Sequence, residues 1–271
     1  MKKILLYIKE HGRDLSKAFS PNFTMKKTPY LIMVFIQIVA AYYFWISSSS
    51  VIPKPLDVIK SIPVVLSEGM LPDLWISTKL AFHAILVSLI ITSVIIYGSV
   101  LSFFKPISFL FTKLRYMTSM GLSFVFTILT GGGYDLKLCL MVYGVTVFFI
   151  TTMSQNVKDI SPDDYKYARS LRMNEWRVSL YTVIWGKLEA LMEALRQNFA
   201  ICWMTLTMVE GLVRTDGGIG VMLLNENKHM KLDKIFAIQL ILLSVGILGD
   251  YAFAKLKYLV CPHTKPTLKQ R

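Results

Sequence analysis

Four windows of this chain contain no Asp, Glu, Lys or Arg: residues 28–53, 80–104, 116–134 and 138–157, which are 26, 25, 19 and 20 residues long. A helix needs about 20 apolar residues to cross the hydrocarbon core of a bilayer, so all four qualify as membrane spans. Composition agrees. Hydrophobic residues make up 54% of the chain and charged residues 17%, and mean hydropathy is +0.51; soluble domains have roughly 45–50% and about 25%. These values exclude a disordered chain and a water-soluble globule.

Two later segments are weaker. Residues 197–209 lie uncharged between Arg196 and Glu210, and residues 235–249 lie between Lys234 and Asp250. Beside four clear spans they read as further helices with polar ends, at about 194–213 and 235–254. The expected fold class is an all-α integral membrane protein with about six transmembrane helices. Six spans place both termini and the second and fourth loops on one side. Lys and Arg number 21 on that side (1–29, 102–115, 154–193, 254–271) and 8 on the other (47–79, 130–137, 213–234). Cationic loops stay in the cytoplasm, so both termini are expected there. This collar accounts for the net charge of +13 without nucleic acid. The expected organisation is a basic cytoplasmic segment 1–29, a six-span domain 30–255 and a basic cytoplasmic tail 256–271. The first apolar stretch begins near Tyr30, too far along for a cleavable signal, and is expected to remain as an anchor. Residues 3–17 fit either a helix lying on the inner leaflet or an unstructured basic tail.

Site chemistry is sparse. Cys139, Cys202 and Cys261 have no metal spacing and form no disulfide framework, and the four histidines are scattered, so no metal or cofactor is expected. Gly131-Gly132-Gly133 lacks the Gly-Lys-Ser/Thr that completes a phosphate loop. It reads as an outer turn, and so does Gly217-Gly218-Ile219-Gly220. No nucleophile, base and acid set stands in or beside the spans, and no nucleotide-binding motif occurs. The chain is not expected to be an enzyme, and any ATP must be hydrolysed by another polypeptide. Ser119, Ser123, Thr127 and Thr130 recur at spacings of three and four in the third span, with Thr205 a weaker addition in the fifth. That stripe fits the lining of a polar pathway and equally fits helix–helix contacts. Arg196 and Glu210 bracket the fifth span about 21 Å apart. They are too distant to pair, and interface anchoring is their expected role.

The inner loop 154–193 is long, and long loops without structure are uncommon. Ser161-Pro162-Asp163-Asp164 supplies a cap, a proline at the first helical position and acids in the first turn. Tyr165, Ala168 and Leu171 then fall on one helix face. Asn174 is a plausible cap for a second helix carrying Trp176, Leu180 and Val183. Two short helices joined by a bend are expected, offering the small residue Ala168 as a knob for a groove on a soluble partner.

The run Asp163-Asp164-Tyr165-Lys166-Tyr167-Ala168-Arg169-Ser170-Leu171-Arg172, with Trp176 and Val183-Ile184-Trp185-Gly186, resembles the coupling loop of ABC importer permeases. Val51-Ile52-Pro53-Lys54-Pro55 with Val58-Ile59, the glycines 217–220 after Leu212, and Gly249-Asp250 extend the resemblance to the nitrate/sulfonate/taurine type over roughly residues 30–255. The resemblance implies a permease subunit of an ATP-binding-cassette importer in a bacterial inner membrane. It implies as partners an ABC ATPase subunit that binds the ATP, a second permease copy or paralogue, an extracytoplasmic substrate-binding protein or lipoprotein, and membrane lipid. Helices at 162–172 and 175–187 would dock the ATPase through Asp163, Asp164, Lys166, Ala168, Arg169, Leu171, Arg172 and Trp176. The loop also departs from the family. Lys166 stands where the family has Glu, Arg172 where it has Gly, and Trp185 where it has Pro. Those departures keep open a divergent, non-transporting or regulatory subunit. A membrane-embedded enzyme is a more remote alternative.

Overall fold

A computed structural model describes residues 27–47, 52–99, 101 and 103–262. The basic segment up to residue 26, including the 3–17 helix expectation, and the tail beyond 262 lie outside the described residues. No strand occurs among the described residues, and the chain is an all-α membrane protein. It divides into two units, Met1–Lys60 and Ser61–Arg271. In the first, α1 (Lys27–Ser47) is a single apolar helix, about 31 Å long at 1.5 Å per residue. Trp45 Nε1 near its end donates to the Pro53 carbonyl at 3.0 Å. The helix α2 (Pro55–Val65) begins in this unit and carries the chain into the second.

The second unit is a helix bundle. A wide turn at Leu66–Met70, bent where Gly69 takes φ 100°, leads into α3 (Leu71–Gly98). There follow α4 (Lys105–Leu114), α5 (Ser119–Thr130), α6 (Gly133–Lys158), α7 (Pro162–Ser170), α8 (Glu175–Ser179), α9 (Leu188–Leu212), α10 (Ile219–Lys228) and α11 (Leu232–Val260). Among the described residues, Tyr30–Ser47, Pro55–Gly98, Gly133–Lys158 and Leu232–Val260 are long and apolar enough to cross a membrane. The bundle end that carries residues 159–187 is called inner here.

Each uncharged window contains a helix, but two differ from expectation. The 116–134 window yields only α5, with 12 residues or about 18 Å, short of the roughly 30 Å core. Thr118 caps it at one end, and Gly131-Gly132-Gly133, all at positive φ, end it within the window. A left-handed run suits glycine alone. The 80–104 window misplaces its span, because α3 starts at Leu71 and stops at Gly98. Asp73 and Lys79 lie within the helix, not before it.

Helices α3, α6 and α9 form the core. On α3 the buried residues Ser77, Ala81, Ala84, Ser88 and Thr92 recur every three or four positions, one face of a helix. Lipid supplies no hydrophobic drive between helices, so small side chains that permit close approach carry the association. The contacts agree. Ser88 Oγ donates to the Val142 carbonyl of α6 at 3.3 Å, and Cys202 Sγ of α9 donates to the Ala81 carbonyl at 3.7 Å. Leu140, Met141, Val145, Phe149 and Leu206 fill the space around the stripe. Along α11, Gly246 and Gly249 leave room for Trp203 and Phe199 of α9. A Cβ at Gly249 would come within 2.3 Å of the Phe199 ring. At their inner ends Lys257 pairs with Glu189 and Glu193, and Arg196 with Glu193 and Asp250. Arg196 thus finds its partners on the neighbouring turn and on α11.

Candidate functional site

The inner loop folds as two short helices and a wide turn. Ser161 is extended, and its hydroxyl accepts from the Asp163 N–H at 3.2 Å. With Pro162 in the first turn and two acids next, α7 starts where its sequence dictates. Asn174 occupies the corresponding position before α8 in an extended conformation, without a side-chain cap bond. The chain then continues through a π-turn at Leu180–Trp185. Arg169 donates through Nε and Nη2 to both carboxylate oxygens of Glu175, at 2.9 and 3.1 Å, and so fastens α7 to α8. The guanidinium holds the Glu175 carboxyl below its usual range. A depressed carboxyl stabilises the fold above its unfolded pKa, and that contribution disappears as pH falls through the folded one. Protection of the loop from amide exchange is therefore expected to weaken only on acidification below the ordinary carboxylate range, and Glu175→Gln to remove that dependence.

Each expected coupling residue has a definite place. Asp163 pairs with Lys166 at 2.8 Å, and both are largely in water. Asp164 lines a cleft of about 250 Å³ with Tyr167, Tyr181, Thr182, Gly186 and Lys187. Trp176 packs beside Tyr97 at the inner end of α3, ring centroids 6.1 Å apart. Arg172 takes φ 55°, so the bend does need the left-handed geometry that glycine adopts most easily, and here an arginine is held in it. Arg172→Gly is therefore expected to stabilise the protein by about 1 kcal/mol, the approximate cost of left-handed geometry for a residue with a Cβ. A thermal midpoint that falls instead would contradict this.

Ala168 requires a correction. It is wholly buried, because α7 packs on α8 and the π-turn of this same chain. The knob is occupied at home. The surface facing outward consists instead of Tyr167, Leu171, Tyr181 and Trp185, 62, 49, 48 and 62% exposed.

The hydroxyls of the α5 stripe make local contacts. Ser123, Thr127 and Thr130 donate to the carbonyls of Met120, Ser123 and Phe126 on their own helix, and Ser119 lies against Gly144 of α6. Thr205 sits apart on α9, bonded to the carbonyls of Ile201 and Cys202 and beside Met141.

A second polar centre, at the outer end, was not apparent from spacing. Glu210 is fully buried. It accepts from Ser77 Oγ of α3 at 2.6 Å and from the Gly220 N–H of α10 at 2.9 Å. Ser77 Oγ in turn accepts from the Ile219 N–H, and Asp73 from the Gly218 N–H. Lys137 of α6, also buried, donates to the carbonyls of Thr215 and Gly217. The glycine loop is thereby clasped to α3, α6 and α9. Glu210 is not an interface anchor. A Cβ at Gly218 would meet its carboxyl group at 2.5 Å, so glycine there allows the loop to close over a buried acid.

No known protein family's sequence profile matches the chain, and no curated protein matches it in sequence. Among solved structures, its fold is similar to a chain of a crystal structure described as an amino acid ABC transporter with histidines. The TM-score is 0.56 over 76% of this chain and 96% of that one, at 15% identity. The chain shares the fold of an ABC transporter chain. At that identity the likeness concerns fold alone.

Proposed function

We propose that the chain is the permease subunit of an ATP-binding-cassette importer, forming one half of a pathway for a small polar solute. The inner loop carries the reading. Two short helices stand on a bundle of ABC-transporter fold and turn outward an apolar, aromatic surface that the chain's own packing leaves bare. Exposed aromatic clusters of this kind mark partner surfaces. In this reading both termini are cytoplasmic, a second permease copy completes the pathway, and a soluble binding protein or lipoprotein delivers solute to the outer loops. ATP binding by a separate ATPase shifts the bundle between inward- and outward-open states, and can do so only through its differential affinity for the two. The solute class implied by the sequence resemblance is a small organic anion, sulfonate, nitrate or vitamin precursor.

The loop's departures favour a working subunit over an inert one. Lys166 is matched by Asp163 within its own helix, Arg172 adopts the geometry of the bend, and Trp185 closes the π-turn with its ring exposed. The bend survives all three. Docking is therefore assigned to Tyr167 and Leu171 in place of Ala168. Tyr167→Asp with Leu171→Asp is expected to reduce recovery of the ATPase with the chain at least tenfold. The thermal midpoint should stay unchanged, since exposed substitutions seldom alter stability. Undiminished recovery would contradict the assignment.

A further inference from the structure

We propose that the inner ends of α3, α4 and α6 form a binding site for the headgroup of an anionic, hydroxyl-bearing glycerophospholipid. A cleft of about 350 Å³ lies there, lined by Ser99, Lys105, Ser108, Phe109, Thr112, Ser154, Val157 and Lys158. Its two cations have no carboxylate partner among the described residues, and no acid lines it. The chain from residue 74 to residue 134, which includes α4, contains no Asp or Glu. The acid nearest in sequence, Asp159, accepts from Gln155. Lys113, one turn beyond Phe109, holds its ammonium 5.2 Å over that ring and adds a third cation at the rim. Basic pockets between helices at the cytoplasmic surface suit phosphate headgroups.

The hydroxyls refine the ligand. Ser99 and Thr112 donate to the carbonyls of Ile96 and Phe109 at 2.7 and 2.6 Å, so toward the cleft each offers only acceptor oxygen. Ser108 and Ser154 share one hydrogen bond at 3.2 Å, which leaves a single proton of the pair to donate. A phosphodiester without hydroxyls, an acceptor only, would leave Ser99 and Thr112 unused. A headgroup that bears hydroxyls beside its phosphate would donate to them while its phosphate faces the lysines. Phe103 and Leu110, 78 and 57% exposed, lie close in sequence to the lining residues Lys105 and Phe109 and offer apolar surface for its acyl chains. Because α4 is amphipathic and cationic, with an exposed apolar face, it suits a membrane surface.

The test is native mass spectrometry of the full chain released from nanodiscs holding equal phosphatidylglycerol and phosphatidylcholine. Phosphatidylglycerol should be retained at least tenfold over phosphatidylcholine. Each lysine near an anionic surface accounts for about fivefold, so Lys105→Gln with Lys158→Gln should abolish most of the preference. Lys105→Arg with Lys158→Arg should preserve it, as should the outer-loop control Lys228→Gln with Lys231→Gln. Equal retention of the two lipids by the unaltered protein would overturn the proposal, and that arm needs no variant to fold. A preference that survives the glutamine pair would also overturn it. Displacement of the lipid by millimolar inorganic phosphate would assign the cleft to a free anion and overturn the lipid assignment.

Discussion

Glu210→Ala is expected to destabilise the bundle by about 2–6 kcal/mol, since two buried donors are orphaned at about 1–3 kcal/mol each. Three consequences act together. The Ser77 hydroxyl and the Gly220 N–H lose their acceptor, and an orphaned buried polar group costs about 1–3 kcal/mol. Buried Lys137 also loses an opposite charge from its surroundings, where the acids in reach are Glu210, Asp216 and Asp73. Glu210→Gln keeps the shape and one of the two acceptor oxygens, so it should cost less than the alanine. Equilibrium unfolding in mixed micelles measures both. A loss under about 1 kcal/mol for the alanine variant, the scale of surface substitutions, would mean that the clasp is not what holds the outer loop.

Gly220→Ala should cost about 3 kcal/mol, the upper end of ordinary overpacking. Its Cβ would lie 2.3 Å from the Thr207 carbonyl oxygen and 2.7 Å from the Glu210 Cβ. A backbone oxygen inside α9 cannot retreat without disturbing the helix that presents Glu210. Gly133→Ala is the matched control. That position has φ 69° and open space around it, so only the backbone penalty of about 1–2 kcal/mol applies. Equal losses in the two variants would show that steric contact at Gly220 is not the cause.

The helices of this chain were largely legible because uncharged windows report the bilayer directly. Their ends were not. Lys79 bounds the uncharged window and Asp73 falls in the expected outer loop 47–79, yet both ride on α3, where Asp73 meets the Gly218 N–H. The inner loop was legible in its caps, since Ser161 and Pro162 act locally, and in its bend, where Arg172 adopts the left-handed geometry expected of the family's glycine. Which face of α7 points outward was not legible. Tyr165, Ala168 and Leu171 share a spacing that suits a partner's groove and this chain's own interior equally well, and tertiary packing buried Ala168. The hydroxyl stripe that the sequence offered equally for a pathway lining and for helix contacts lies on α5, and its hydroxyls donate to their own helix. The small-residue stripe that builds the core, from Ser77 to Thr92, was present in the sequence with equally regular spacing. The clasp joins Ser77, Lys137, Glu210 and Gly220, and no local pattern could have brought those four positions together. A single acid among apolar residues close to a glycine cluster was its only trace.

Coupling of this helix bundle to a separate ATPase through the inner loop, as proposed above, is open to direct capture. With Cys139, Cys202 and Cys261 replaced, a single cysteine at Leu171 carrying a short photo-crosslinker can be activated in native membranes and its adducts identified by mass spectrometry. One dominant adduct is expected, to a nucleotide-binding ATPase subunit, and it should be lost in Tyr167→Asp. Adducts to lipid alone, or to proteins that bind no nucleotide, would contradict the coupling.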